Sequence, residues 1–302
     1  MSQQGLIGSS VVTGQVKYLN GFLGVERAWH IGFVRRFKDY VGIVATLRRY
    51  SDGATHNLYY DNGDFVNWAN TDLLNFVNGQ TVEILFYNQV PEANSAFDQA
   101  TSAAGERPII YTSSAFNTAT GYPDFKAWKF NGTTQYLFGN TFNWTTSQEP
   151  LYQIVAGEHI SGTYAQSFAH TSVSASWQAA ILGGASIGGS LRTGTATTTV
   201  TTPFTGSNPS IIGYQERSSS RTFSINGNEV LTENTSNPLN GTNTSSGIYF
   251  GRLRGRDLIM WGGKMFESLG FFSIKDTLVN YEGVEIPERL AIERVMNKTY
   301  QF

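Results

Sequence analysis

The sequence predicts a mainly β fold, two antiparallel sheets packed face to face with two or three helices at the periphery. Short alternating apolar and polar stretches recur along the chain between Gly- and Asn-rich turns, which is the pattern of half-buried strands. Charged residues make up only 15% of the 302, well below the quarter usual in soluble domains. Gly, Ser, Thr and Asn fill that deficit and suit short strands joined by tight turns. Helical patterns are confined to three short segments, so the helices sit around the sheets rather than forming a layer of their own.

Residues 1–27 are weakly patterned and are read as an extended arm ahead of one domain spanning 28–302. Within that domain, "ERAWHIGFVRRF" spaces Trp29, Phe33 and Phe37 four apart beside Val34, which predicts one apolar helical face broken only by Gly32. "VGIVATLRRYSDGA" reads as a strand ending in a Ser-Asp-Gly turn. "NTDLLNFVNG" predicts a short helix: Asn70 or Thr71 caps it, Leu73, Leu74 and Val77 form its face, and Gly79 takes the C′ position. "QTVEILFYNQ" alternates into another strand, and "KAWKFNGTTQYLFG" gives two strands around Asn131-Gly132.

In "RTFSINGNEVLTE", Asn226-Gly227 supplies the positive φ angles of a tight hairpin. Alternation puts Phe223 and Ile225 on the core face, Val230 across from them, and Ser224 on the solvent face. On that register Gly227→Val costs roughly 1–3 kcal/mol through backbone strain, and Ser224→Asp about 0.5 kcal/mol or less. The β-branched tract from Gly183 to Thr202 fits strands better than a linker. "EIPERLAIERVMNKTY" predicts a closing helix with Pro287 and Glu288 at its start and Leu290, Val295 and Met296 on its apolar side, packed on the outside of the domain.

The composition also narrows the chemistry. A net charge of −2 gives no electrostatic reason to expect nucleic acid or an anionic membrane. The clusters Arg35, Arg36, Lys38 and Arg252, Arg254, Arg256 read as solvated faces or partner contacts. With no cysteine, disulfides, thiolate chemistry and cysteine-type zinc sites are excluded. "MSQQGLIGSSVVTG" lacks the basic-then-apolar pattern of a signal peptide, and no apolar run reaches the length of a membrane span. The Asn-x-Ser/Thr triplets are then read as turn chemistry.

These segments bear a resemblance. "AWHIGFVRRFKDYVGIVATLRRYSDGAT" resembles the opening of the arabinofuranosidase B catalytic domain, and "VEILFYNQVPEANSAFDQATSAAGERPII" is similar to that family's next strand and loop. "AWKFNGTTQYLFG" resembles a motif shared by laminin-G-like and concanavalin-like sandwiches. The order holds from about residue 28 to 140, and the likeness returns at "GGKMFESLGFFS". It implies a concanavalin-like jelly-roll sandwich, a type also found in structural proteins of tailed bacteriophages. It further implies that Glu267 stands where the family carries its nucleophile. The Gly following that residue in the family is missing here, as is the family's sugar-gripping cysteine pair.

A retaining glycosidase needs a second carboxylate about 5–5.5 Å from the nucleophile. The acids after Glu267 are Asp276, Glu282, Glu285, Glu288 and Glu293, all on a loop or the closing helix. The expectation is therefore that Glu267 is structural and that Glu267→Gln leaves fold and binding intact. Asp52, Asp61, Asn62 and Asp64 crowd two turns that are a candidate calcium site, with turn-forming Asp/Asn as the plainer explanation. Trp68, Trp144, Trp177 and Tyr214 are candidate rings for stacking on sugars, against a background in which aromatics are 14% of the chain and mostly core. The four histidines show no metal-ligand spacing, and "LGGASIGGS" lacks the Lys-Ser/Thr of a phosphate loop.

The function expected is that of a non-enzymatic bacteriophage virion protein, in a tail fibre, a baseplate adhesin or a capsid decoration. Its partners are other virion proteins, further copies of itself with a trimer favoured, and a host-surface glycan. No cofactor is expected. The alternatives are a retaining arabinofuranosidase-like hydrolase using Glu267 and a free carbohydrate-binding module.

Overall fold

The computed structural model describes residues 18–19, 26–61, 64–90, 99–144, 151–162, 164–170, 178–182, 186–193, 196–203, 209–217, 220–234, 243–252, 261–272 and 278–301. Two antiparallel sheets dominate them. The first is organised around the strand Trp261–Phe272, against which Glu26–Gly32 and Trp128–Asn131 pair end to end along one edge. Leu151–Gly162 pairs along the other edge, followed outward by Ser210–Glu216, Ser220–Ile225 and Asn228–Asn234.

The second sheet runs from Thr55–Leu58 through Ala45–Arg49, Thr81–Tyr87, Gln99–Thr101 and Leu137–Trp144 to Asn243–Phe250. It continues through Tyr164–His170 and Gln178–Leu182 into Ser186–Thr193 and Ala196–Pro203, so the Gly183–Thr202 tract is strand-forming as its composition suggests. A bridge between Lys129 and Ile109 links the two sheets.

The sheets face each other across one apolar core. The first contributes Trp29, Val155, Phe223 and Met265, and the second Leu47, Ile84, Phe86 and Ile248. Trp128 and Phe86 meet across it with ring centroids 4.4 Å apart. This is the sandwich that the alternating strands predict.

Helix α1, Thr71–Val77, forms where its cap signals place it. Asn70 Oδ1 accepts the amides of Asp72 and Leu73, and Gly79 follows with φ +69°. Helix α2, Glu288–Tyr300, also forms, on the outside of the sandwich as expected. It covers the outer face of the first sheet, packing Leu290, Ile292 and Val295 against Tyr152, Ile154, Leu269 and Phe271 in a second core. Glu288 and Glu293 are buried with it.

The helix predicted over "ERAWHIGFVRRF" does not form. Glu26–Gly32 is a strand with an irregularity between Arg27 and Trp29, and the chain leaves it as a loop. Trp29 and Ile31 turn into the inter-sheet core while His30 turns the other way, the period of a strand. Because both faces are covered, the loop residues Phe33, Val34 and Phe37 are also buried, and their i, i+4 spacing with Trp29 mimics a helical face. Residues 1–17 and 20–25, most of the stretch expected to be an arm, lie outside the described residues, as do Arg254 and Arg256.

Candidate functional site

Glu267 lies at a β-bulge. In the pairing with Leu151–Gly162, Ala156 stands opposite Glu267 and Gly157 opposite Met265, which leaves Phe266 as the extra residue. Met265 therefore faces the inter-sheet core while Phe266 and Leu269 lie on the α2 side. There Glu267 meets two basic side chains. Arg36 donates from Nε to Oε1 at 2.6 Å and from Nη2 to Oε2 at 2.7 Å, a bidentate fork. His30 Nε2 lies 2.9 Å from Oε1, and Arg36 Nη1 donates to Thr299 Oγ1 of α2 at 3.0 Å.

All three side chains are fully buried. Burial alone raises a carboxyl pKa, but here the Arg36 guanidinium, and then the His30 bond, outweigh it and hold Glu267 at about 2. Burial pushes the His30 pKa down, so the imidazole is neutral and donates from Nε2. The two rings that share this region, Tyr60 and Tyr300, have phenols pushed up by burial and by the Glu267 charge.

This arrangement fixes a strand, a loop and a helix to one another. Both oxygens are committed, and no surface is open to a substrate. Among the acids downstream, Glu293 accepts hydrogen bonds from Tyr152, Ser224 and the Gly227 amide, and Glu282 pairs with Lys298. Asp276 lies outside the described residues. Arg36, read from the sequence as part of a solvated cluster, is instead the buried counter-ion. The signal for it was Glu267 itself, since a carboxylate in an apolar strand requires a partner.

On the same side of the molecule a cleft of about 290 Å³ opens beside α2. Six aromatic side chains line it: Phe33, Phe65, Trp68, Phe125, Phe266 and Tyr300. Trp68 and Phe125 are half-buried, whereas Phe266 and Tyr300 are buried at its floor. Trp68 meets Phe33 edge-on at 4.7 Å, and Phe125 meets Tyr300 at 5.1 Å. Among the described residues the charged side chains of its lining are Asp124 and Lys126, on the strand Tyr122–Lys126.

The chain shares its fold with solved arabinofuranosidases. A mutant GH54 α-L-arabinofuranosidase soaked with 4-nitrophenyl α-L-arabinofuranoside superposes with a TM-score of 0.61 at 13% identity, covering 91% of this chain and 63% of that one. An arabinofuranosidase complexed with arabinofuranosyl-α-1,2-xylobiose gives 0.58, also at 13% identity and with the same coverage. This chain thus spans just under two thirds of the length of those proteins. No family model and no curated protein matches it.

The other sequence candidates separate in space. Tyr214 is fully buried and stacks on Phe223 at 4.9 Å, so its ring has no face for a sugar. Trp68 is on the cleft wall, while Trp177 and the side chain of Trp144 lie outside the described residues. Asp52 holds Arg49 and the Ala54 amide, Asp61 accepts from Asn67 Nδ2 at 2.9 Å, and Asp64 accepts from Tyr18. These are turn and pairing roles, and among the described residues no three His, Asp or Glu side chains gather around a metal position. Asn62 lies outside the described residues.

Proposed function

We propose that this chain is a non-hydrolytic β-sandwich subunit on the outside of a bacteriophage virion, where it holds carbohydrate of the host surface. The state of Glu267 carries the non-hydrolytic half. A retaining nucleophile must reach an anomeric carbon, and this carboxylate is sealed from solvent with Arg36 and His30 on its oxygens. Carbohydrate is the ligand class because the fold neighbours bear the names of arabinofuranosidases, one of them in complex with an arabinofuranosyl-xylobiose. The aromatic cleft beside Trp68 offers a place for it.

The virion setting rests on composition. A cysteine-free, weakly charged chain rich in Gly, Thr and Asn draws its stability from its core and from neighbouring copies, and cyclic closure of such subunits favours a trimer. The first test incubates the protein with 4-nitrophenyl α-L-arabinofuranoside and runs it on affinity gels containing host polysaccharide. Retardation without nitrophenol release is expected. Nitrophenol release that Glu267→Gln abolishes overturns the reading. Mass spectrometry of purified virions and light scattering of the protein test the setting and the trimer, and a protein missing from virions, or a monomer at high concentration, counts against them.

A further inference from the structure

We infer that the cleft between Trp68 and α2 is a single-ring subsite for a hexopyranose bearing an apolar methyl substituent, a 6-deoxy or an N-acetyl sugar. The inference rests on the carbohydrate-binding reading above and locates it. The cleft's size sets the first limit. At about 290 Å³ it lies at the bottom of the ~300–1,000 Å³ range of ligand pockets, enough for one ring and its substituents. The lining sets the second. Its floor, with Phe266 and Tyr300 buried against α2, is aromatic, while Trp68 and Phe125 stand half-exposed on its walls. Such a floor accepts a C–H face or a methyl group and disfavours a ring with hydroxyls on every side.

The rim sets the third limit. Asp124 is exposed and makes no hydrogen bond or ion pair among the described residues. Lys126, on the same face two residues on, donates its Nζ to Pro123 O at 2.7 Å. A carboxylate with open lone pairs beside an aromatic wall accepts two neighbouring hydroxyls while the ring lies against the indole. A plain hydrocarbon in the cleft would leave that carboxylate unused. Asp124 and Lys126 together leave the lining with no net charge to draw a ligand anion.

The test measures binding of three methyl glycosides to the full chain by titration calorimetry and saturation-transfer NMR: a 6-deoxyhexopyranoside, an N-acetylhexosaminide and an unsubstituted hexopyranoside. Either substituted sugar is expected to bind saturably and more tightly than the unsubstituted one. Trp68→Ala is expected to weaken binding by about fivefold or more, with Trp68→Phe intermediate. Asp124→Asn, an exposed change that leaves folding untouched, is expected to weaken it several-fold. Substituted sugars that bind equally well to Trp68→Phe, Trp68→Ala and Asp124→Asn overturn the subsite but leave carbohydrate binding standing. Retention of host polysaccharide with no binding of any of the three glycosides also overturns the subsite alone. Failure to retain any polysaccharide overturns both.

Discussion

Gly227, in a hairpin turn, and Glu293, on the closing helix, bind each other directly: the Gly227 amide donates to Glu293 Oε2 at 3.1 Å. The neighbouring helix residue completes the grip, since Arg294 Nε donates to Gly227 O at 3.0 Å. Glu293 Oε1 takes the hydroxyls of Tyr152 and Ser224. Two strands of the first sheet and the hairpin turn are thereby fastened to α2 through one buried carboxyl group.

That carboxyl group makes stability depend on pH. Burial raises the Glu293 pKa from 4.5 to about 7, against the smaller opposing effects of Ser224, Tyr152 and Arg289. A folded pKa above the unfolded one means that the folded state binds the extra proton between the two values. The contribution is full below pH ~4.5 and is lost as pH rises through ~7, a loss of roughly 2–4 kcal/mol. Glu293→Gln should remove that slope. Because burial lowers the His30 pKa and so acts with the opposite sign over part of the window, the measurement is the difference between the urea stabilities of wild type and mutant at pH 4.5, 6 and 8. A difference that does not change with pH sinks the assignment.

Two substitutions in the hairpin separate strain from burial. Gly227 has φ +78°, and a Cβ there would overlap Arg294 Cγ, so Gly227→Val is expected to cost roughly 2–4 kcal/mol. Ser224→Asp sets a second carboxylate against Glu293 in a site that is 1% exposed, and is expected to cost at least ~2 kcal/mol. Denaturant titration of each decides the matter. A Ser224→Asp cost below ~0.5 kcal/mol would restore the solvent-facing register.

That correction shows which parts of the fold are legible in sequence. The Asn226-Gly227 turn is legible because its φ requirement is local, and both residues do have positive φ. Phe223 faces the core as alternation demands. Ser224 is misread because nothing local reveals that α2, about seventy residues on, covers the other face of its strand. Val230 is misread for a second reason. The register slips between Phe223 and Ser224, so Leu231 rather than Val230 stands opposite Phe223, and Val230 turns to solvent. The Glu267 site divides in the same way. Its burial is legible from the apolar run, whereas Arg36 is found only through the bulge and the loop that bring it there.

A third expectation concerns close packing at Gly270. A Cβ on this residue would overlap the indole of Trp29, which is fully buried and donates from Nε1 to Ser268 Oγ at 3.1 Å. Gly270→Ala must displace that ring or bend the strand, and is expected to cost roughly 1–3 kcal/mol. The check is the melting temperature together with the near-ultraviolet circular dichroism of the tryptophans. An unchanged melt means that the strand yields without cost.

The last expectation bears on Glu267, and here the site's geometry reverses the sequence-based one that Glu267→Gln is harmless. Removing the negative charge leaves Arg36 buried without its counter-ion, and breaking one side of such a pair costs roughly 3–5 kcal/mol. Replacing both partners is gentler, so Glu267→Gln combined with Arg36→Met should be less destabilising than the two single changes added together, with a coupling of about 2 kcal/mol or more. The acid limb gives an independent sign. With the folded pKa held at about 2 against 4.5 ordinarily, the contribution of Glu267 is complete above pH ~4.5 and is lost as pH falls toward 2. Glu267→Gln should flatten that limb. If the single changes are each mild and add without coupling, the carboxylate is not locked to Arg36. It would then be free to meet a substrate, and the hydrolytic reading would return.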